Sequence, residues 1–595
     1  MAQRQRTGPF ILSTTVDFPD DLYNGVYTPH LLGELMRFLR SLGMRRVYWL
    51  DYGDPDPASE LWSPMLSQTP YGEASLARLG DPLAAAVQAA HANGLELYAV
   101  MKPFAGATTI TWPDGSPEAS RGALARIGGR IRDPYAYLGH KPDLRIRRRP
   151  TATTTGHDVP TIGEIRLVKA DAQPTRIGRA DLQIWTSETN LAYHRADVGF
   201  VLSEQIRQAE QPVVDYFGRV VTLAGTRVRV LRLTGLELTA PFVLVTTTLR
   251  GGTPDFHNIA SAMVEAIGAD GGRLPIVVAT RSATAHSTRD FRTDGLEFDA
   301  GYGPFAIDLD VDNGAPNATW SAPQGGCVAF ALGRNESLAG APCESEPEVQ
   351  RIWLAWIERL IRAGVDGVDI RVSAHGTLTD EPAAYGFNAP VIDAYRARFG
   401  QEPQGDADLD GVAEVRGAAY TAFLRAARQA LRRAGLPMQV HLHTEAFRPS
   451  PAHGALMGIP ANLRFDWRAW LAEGLVDGAT LRTSWYEGMG PDEEAALVEL
   501  LADPIVAETI EASARAGVPL YMNRYAMAGG DIRAGDRVER YLDDLALAVR
   551  DPRLAGFDVY EVSVYLRPSA DGQSIEPIGD FAGRLRDKAV SLGLA

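Results

Sequence analysis

The chain has 595 residues and a formal net charge of −15, with 45% hydrophobic and 22% charged residues, proportions typical of a globular protein. The acidic balance argues against nucleic acid as a partner, because phosphate binding requires clustered lysine and arginine side chains. The sequence has neither an uninterrupted apolar stretch of about 18 residues nor an N-terminal apolar stretch of about 7–15 residues, so we predict no membrane partner and a cytoplasmic location.

A helix that ends in glycine, followed at once by a short apolar strand, recurs along the chain. Glycine suits the left-handed position that ends a helix, and strands rich in Val, Ile, Leu and Tyr are typical of a parallel sheet buried on both faces. With an opening strand, the predicted strands in chain order are Phe10–Val16, Arg46–Leu50, Leu95–Val100, Gly367–Ile370, Met438–Leu442, Ala479–Leu481, Val518–Met522 and Phe557–Tyr560. The predicted helices between and after them include His30–Leu42, Val349–Arg362, Val415–Ala434, Val538–Val549 and Phe581–Leu592. Such alternation predicts an α/β fold, a closed (β/α)8 TIM barrel rather than an open doubly wound sheet.

The spacing of this repeat breaks once, after the third strand. That strand ends near Lys102 and the next barrel helix begins near Ser345, whereas a βα loop normally has about 2–6 residues. From about residue 160 the intervening sequence contains short apolar strands separated by turns, which is typical of a β-sandwich. We therefore predict a barrel built from residues 8–105 and 345–595, with a β-rich, sandwich-like insertion of residues 106–344 between strands 3 and 4.

Active sites of such barrels form at the C-terminal ends of the strands, where side chains of one parity face the lumen. In the fourth predicted strand Asp369 and Arg371 share the inward parity, and His375 follows just beyond. The fifth strand carries four alternating polar residues, Gln439, His441, His443 and Glu445. Residues predicted at the same end of the other strands are Asp17, Trp49, Asp51, Lys102, Arg482, Trp485, Glu487, Asn523 and Glu561. Burying an unpartnered polar group costs about 1–3 kcal/mol, so this clustering indicates a functional site, and a purely structural ion network is the alternative.

Carboxylates around a mouth that also carries Trp and Tyr are suited to glycosidic bond cleavage. One carboxyl group protonates the leaving oxygen, and another attacks the anomeric carbon or activates water. Aromatic faces stack on sugar rings, while Arg and His donate hydrogen bonds to hydroxyl groups. The predicted partner is therefore a carbohydrate, and a homo-oligomer is compatible with the sequence.

Three sequence segments resemble known barrel enzymes. The run from Gly364 to His375 resembles the strand-four segment of (β/α)8 glycoside hydrolases and is similar to the motif of the α-amylase superfamily, with Asp before Arg instead of after it. The runs Tyr385–Asn388 and Asp466–Trp470 resemble uncharacterised glycosyl-hydrolase-like barrel proteins. The resemblance implies a glycoside hydrolase acting on a glycan or oligosaccharide.

The same resemblance implies Asp369 as the nucleophile and Glu445 as the acid/base. Neighbouring strands lie about 4.8 Å apart, which suits the retaining arrangement of the two carboxyl groups. Glu561 and Glu487 remain alternative carboxyl groups.

Two other functions remain open from the sequence. His441 and His443 form a His-x-His pair that, with Glu445 or Asp369, would suit a metal-dependent amidohydrolase-like barrel. A barrel that binds sugar without turnover is the second alternative. Our prediction is a hydrolase with no metal and no cofactor, and the sequence leaves open whether Cys327 and Cys343 pair.

Overall fold

A computed structural model of the protein describes most of the barrel and much of the insertion. The described residues are 8–22, 24–56, 58–63, 66, 71–104, 135, 137–138, 141–150, 160–188, 194–214, 220–249, 264–278, 327–332, 337–372, 382–447, 460, 462–482, 496–526 and 536–595.

Eight parallel strands close into a barrel, and this confirms the predicted fold. They are β1 Ile11–Val16, β2 Arg46–Leu50, β3 Glu96–Met101, β4 Gly367–Arg371, β5 Met438–His443, β6 Gly478–Arg482, β7 Leu520–Tyr525 and β8 Gly556–Tyr560. Each strand pairs with the next in this order, and β8 pairs with β1 to complete the ring. The C-terminal ends of all eight strands therefore meet at one mouth, the end at which barrel enzymes carry their active sites.

The helices cover the outside of the barrel. Their bounds are Phe18–Asp21, Pro29–Ser41, Gly72–Leu79, Pro82–Ala92, Pro347–Ala363, Ala389–Phe399, Leu409–Arg433, Trp467–Ala472, Leu497–Leu500, Pro504–Ala516, Asp536–Arg550 and Phe581–Ser591. Gly364 ends one helix at φ 82°, as the repeat predicted. Asp503 caps another by accepting from the amides of Ile505 and Val506. No helix in the described ranges has the length and apolar character that crossing a bilayer requires.

Within the insertion, the described strands form two antiparallel sheets. One has the order Val264–Gly268, Ile162–Val168, Arg227–Leu238 and Val201–Gln208, and the other has the order Ile276–Val278, Cys327–Leu332, Phe242–Thr247, Leu182–Ser187 and His194–Arg195. Buried side chains from both sheets, among them Ile165 and Val243, share one hydrophobic cluster. A further strand pair, Arg145–Arg147 with Ser337–Pro342, joins the two ends of the insertion, and near it Cys343 is a free, buried thiol.

An arginine fills the N-terminal end of the barrel lumen. The Arg46 guanidinium carbon lies 3.9 Å from the centre of the Tyr98 ring and 4.9 Å from that of Tyr521, and its Nε donates to Glu96 at 2.9 Å. Glycine at 367 makes room for this packing, because a Cβ atom there would lie 2.3 Å from the Tyr98 ring. Packed side chains therefore fill the N-terminal end of the lumen, which leaves the C-terminal end available for a functional site.

Candidate active site

Two buried aspartates occupy the middle of the lumen. Asp369 is 1% exposed and accepts a hydrogen bond from the Thr480 hydroxyl. Asp558 accepts from the Thr15 hydroxyl at 2.7 Å and from Asn523 Nδ2 at 2.5 Å. Burial raises the pKa of Asp369 to about 7 and that of Asp558 to about 6. These two carboxyl groups therefore lie below the strand ends, in a place where water does not stabilise their charge.

The raised pKa of Asp369 gives a testable pH dependence of stability. Because the folded pKa of about 7 lies above the ordinary value of 3.8, the folded state keeps a proton that the unfolded chain releases, and stability falls as the pH rises through that window. Asparagine does not ionise, so we expect the Asp369→Asn variant to lack this loss. Its free energy of unfolding relative to that of wild type should rise by at most about 1.4 kcal/mol for each pH unit between about pH 4 and 7. Unfolding temperatures at pH 5 and pH 8 measure it, and a difference between variant and wild type that does not change with pH would contradict it.

Above this layer, eight buried residues at the C-terminal strand ends form what we call the mouth cluster. Its members are Asp17, Lys102, Arg371, His441, His443, Arg482, Tyr560 and Glu561, and none is more than 8% exposed. They come from β1, β3, β4, β5, β6 and β8 or from the residue directly after a strand. The closed barrel thus brings together residues that are up to about 540 positions apart in the chain.

The acidic side of the mouth cluster lies between β1 and β8. Carboxylate oxygens of Asp17, Asp20 and Glu561 lie within 4.8 Å of one another. Burial raises the pKa of Glu561 to about 8, and the charges of Asp20 and Asp17 add to the shift. Burial also raises the pKa of Asp21, the next residue of the short helix after β1, well above its ordinary value. At neutral pH Glu561 is therefore a protonated acid beside other carboxyl groups.

The Asp17 carboxylate has a different surrounding from that of Glu561. Tyr52 donates its hydroxyl to Asp17 Oδ1 at 2.8 Å, and Lys102 Nζ lies 3.8 Å from Asp17 Oδ2. A donor and a cation at these distances stabilise the ionised form of a carboxylate. The acidic side of the mouth thus places a neutral acid, Glu561, beside a carboxyl group that has a hydroxyl donor and a cation close to it.

The basic side of the mouth cluster is arranged around the Tyr560 ring and β5. The guanidinium carbons of Arg371 and Arg482 lie 5.2 and 4.5 Å from the centre of the Tyr560 ring. Burial lowers the pKa of His441 well below its ordinary value, and the charges of Arg371, Arg482, His443 and Lys102 lower it further. His441 is therefore a neutral imidazole at physiological pH, among fixed positive charges.

Most predicted site residues within the described ranges reach the lumen, but two do not. Lys102, Arg371, His441, His443, Arg482 and Glu561 meet in the mouth cluster, and Asn523 binds Asp558 one layer below. Trp49 packs on Phe18 instead, and Asp51 forms an ion pair with Arg359 at 2.8 Å in the helix layer. The prediction that Trp49 and Asp51 line the mouth is wrong, because Arg46 and Tyr48 are the β2 residues whose side chains point into the lumen.

Several predicted residues lie outside the described part of the chain. They are His375, Trp485 and Glu487, and the side chain of Glu445. The backbone of Glu445 belongs to a short 3-10 helix, Thr444–Phe447, that directly follows β5. The assignment of Asp369 and Glu445 as a catalytic pair therefore remains a prediction.

Sequence reasoning missed four residues of the site. Tyr560 and Asp558 share the inward parity of β8, so the alternation rule that found Asp369 would have found them as well. Asp20 and Asp21 belong to the four-residue helix Phe18–Asp21, which no repeat in the sequence indicates.

A metal ion has one candidate location among the described residues. It is the group of Asp17, Asp20 and Glu561, whose oxygen ligands would suit a hard cation such as Ca²⁺ or Mg²⁺. His441 and His443 belong to no such group within the described ranges, and the Glu445 side chain that would complete their set lies outside them.

No family model matches the chain, and no curated protein matches it. Among solved structures, the catalytic domain of a β-amylase from Paenibacillus polymyxa is similar over 98% of both chains, with 8% identity and a TM-score of 0.38. The PgaB (BpsB) glycoside hydrolase domain from Bordetella bronchiseptica is similar over 39% of this chain and 62% of its own, with 14% identity and a TM-score of 0.25. A GH18 chitinase from Pseudoalteromonas aurantia is similar over 40% of this chain and 71% of its own, with 11% identity and a TM-score of 0.22.

Proposed function

We propose that the chain is a retaining glycoside hydrolase that cleaves a glycan or oligosaccharide at the barrel mouth, with Asp17 and Glu561 as its carboxyl pair. The observation that carries this proposal is the position of Glu561, whose pKa burial raises to about 8, within 4.8 Å of the Asp17 carboxyl group, at the end of the barrel where such enzymes act. Acid-assisted glycoside cleavage requires two carboxyl groups, one that gives a proton and one that attacks, and the raised pKa of Glu561 suits the first role.

In the proposed first step, the Asp17 carboxylate attacks the anomeric carbon and the bond from that carbon to the leaving oxygen breaks. Glu561 gives its proton to the leaving oxygen, so the departing sugar leaves as a neutral alcohol. In the second step water attacks the anomeric carbon, its proton passes to the Glu561 carboxylate, and Asp17 is released. Atoms and charge balance over the two steps, and no cofactor is consumed.

The spacing of the two carboxyl groups favours retention over inversion. Inverting enzymes separate their carboxyl groups by about 6.5–9.5 Å to admit a water molecule, whereas retaining enzymes hold them about 5–5.5 Å apart. One oxygen of Asp17 and one of Glu561 lie within 4.8 Å of each other, which favours the shorter spacing of the retaining enzymes.

Asp369 and Glu445 are the competing assignment for the same reaction. Asp369 lies below the mouth, bound to Thr480, and its pKa of about 7 leaves it partly protonated at neutral pH. A nucleophile has to reach the anomeric carbon at the mouth, so we favour Asp17 for that role and assign Asp369 to positioning through Thr480 and Arg371.

The proposed function predicts a defined product stereochemistry. We expect the full-length protein to hydrolyse at least one member of a glycan panel, and the first product seen by proton NMR to have the same anomeric configuration as the substrate. A parallel reaction in EDTA after dialysis should proceed at the same rate. Initial formation of the opposite anomer would contradict the Asp17–Glu561 pair, and loss of the reaction with EDTA would favour a cation at Asp17, Asp20 and Glu561.

A further inference from the structure

The mouth cluster contains a buried arginine, Arg482, that forms no ion pair with a carboxylate of the described residues. Arg482 is 2% exposed, and among the described residues no carboxylate lies within 4.0 Å of its guanidinium group. Its Nη1 is fully buried and has no hydrogen-bond partner there. Asp558 acts on Arg482 only from beyond ion-pair distance. A buried guanidinium without a counterion is costly, so the lack of one in the described ranges points to an anionic partner from outside the chain.

A second buried donor, on the neighbouring strand, also has no hydrogen-bond partner among the described residues. His441 is 6% exposed, and its Nε2 is buried without a hydrogen-bond partner among the described residues. In a neutral imidazole one ring nitrogen donates, so Nε2 can offer a hydrogen bond to an anion without carrying charge itself. β5 and β6 pair side by side, with His443 directly opposite Arg482, so the two unsatisfied donors stand at one edge of the mouth.

The surrounding residues add positive charge beside Arg482 and His441. The guanidinium groups of Arg371 and Arg482 both lie against the Tyr560 ring. The charges of Arg371, Arg482 and Lys102 all lower the pKa of His441. The acidic groups Asp17 and Glu561 lie next to these cations, between β1 and β8, and Lys102 Nζ is 3.8 Å from Asp17 Oδ2. The mouth therefore contains carboxyl groups, where the bond would break, and beside them a cationic side, Arg371, His441 and Arg482, that would hold part of the substrate.

We propose that the cationic side binds a negatively charged group on the sugar, so that the substrate is an acidic glycan whose carboxylate or sulfate is held by Arg482 and His441. This inference rests on the proposed function for the chemistry that follows binding, but the binding itself does not require turnover. The planar guanidinium matches a sugar carboxylate in a two-bond arrangement, which favours a uronic acid over a sulfate ester.

Binding by calorimetry tests the inference apart from catalysis. The probes are trigalacturonate and its methyl ester, a sulfated trisaccharide and its unsulfated form, and a triglucuronate, each added to the full-length protein. We expect at least one acidic probe to bind tenfold or more tightly than its neutral counterpart, and the carboxylate probes to exceed the sulfated one. Equal affinity within each pair, or no binding by any acidic probe, would overturn the proposal.

Arg482→Met and Arg468→Met are the matched variants. Arg468 pairs with Glu508 on the outer surface with its side chain 60% exposed, so its loss should leave the affinities unchanged. Arg482→Met should abolish the preference for the acidic probe and leave the unfolding temperature unchanged or higher, because it removes an unmatched buried charge. A lower unfolding temperature with the preference retained would show that Arg482 is only structural and would overturn the proposal.

The two proposals fail in distinguishable ways. Tight binding of an acidic probe without any hydrolysis would leave this inference standing and contradict the glycosidase. Hydrolysis of neutral glycans with no preference for acidic ones would support the glycosidase and contradict this inference.

Discussion

We expect Glu561→Gln to lower kcat on an oligosaccharide by about 10²–10⁴-fold, which is the usual contribution of a positioned general acid. Glutamine keeps the size of the side chain and can still bind the Ser563 hydroxyl, which donates to Glu561 Oε1 at 3.1 Å. It has no proton to give to the leaving oxygen. An aryl glycoside with an acidic phenol as leaving group needs little protonation, so we expect a far smaller loss on that substrate.

The matched control for this variant is Glu511→Gln. Glu511 lies on the outer helix Pro504–Ala516, where its side chain is 57% exposed and pairs with Arg515. We expect its kcat to equal that of wild type on both substrates. An equal loss by Glu561→Gln on the oligosaccharide and on the aryl glycoside would contradict the acid role, because the loss would then not depend on the leaving group.

The second large effect is expected on stability, at an ion pair between the end of the insertion and the barrel helices. Arg416 donates from Nε and Nη2 to the two carboxylate oxygens of Glu344, each at 2.7 Å, and both side chains are 0% exposed. Glu344→Gln would leave the guanidinium charge buried without a counterion, which typically costs about 3–5 kcal/mol. We expect a clear fall in the barrel unfolding temperature by scanning calorimetry at a fixed scan rate.

Two further variants make this stability prediction specific. Glu473 pairs with Arg425 at 3.2 Å with both side chains more than half exposed, so Glu473→Gln should cost less than about 1 kcal/mol. Replacing Glu344 and Arg416 together with methionine should recover most of the loss, because no unpaired charge remains. Equal shifts of the unfolding temperature for Glu344→Gln and Glu473→Gln would contradict the prediction, because the loss of stability would then not depend on burial of the Glu344–Arg416 pair.

The strand repeat predicted the barrel and the lumen-facing residues of its middle strands. Alternation in β4 and β5 correctly directed Asp369, Arg371, His441 and His443 inward, because polar residues there interrupt an otherwise apolar pattern. In β2 the same rule was not decisive. Both faces of that strand are buried, so Trp49 and Arg46 are equally compatible with the lumen until packing against Tyr98 and Tyr521 decides between them.

The acidic half of the site depended on features that no local pattern contains. Asp20 and Asp21 come from a single turn of helix after β1, and they approach Glu561 only because β8 closes against β1. The raised pKa of Glu561 results from burial and from these distant neighbours, so it is a property of the closed barrel rather than of the residue's own segment. Ring closure therefore had to be known before the carboxyl pair could be identified.

The most direct test of the central claim is a comparison of kcat for four single variants on one glycan that the wild type hydrolyses. The variants are Asp17→Asn, Glu561→Gln, Asp369→Asn and Glu445→Gln, each checked for cooperative unfolding well above the assay temperature. The proposed pair predicts losses of at least 100-fold for the first two and losses below about 10-fold for the last two. Near-wild-type kcat in Asp17→Asn and Glu561→Gln, with the large losses in Asp369→Asn and Glu445→Gln, would contradict it and move the chemistry to β4 and β5.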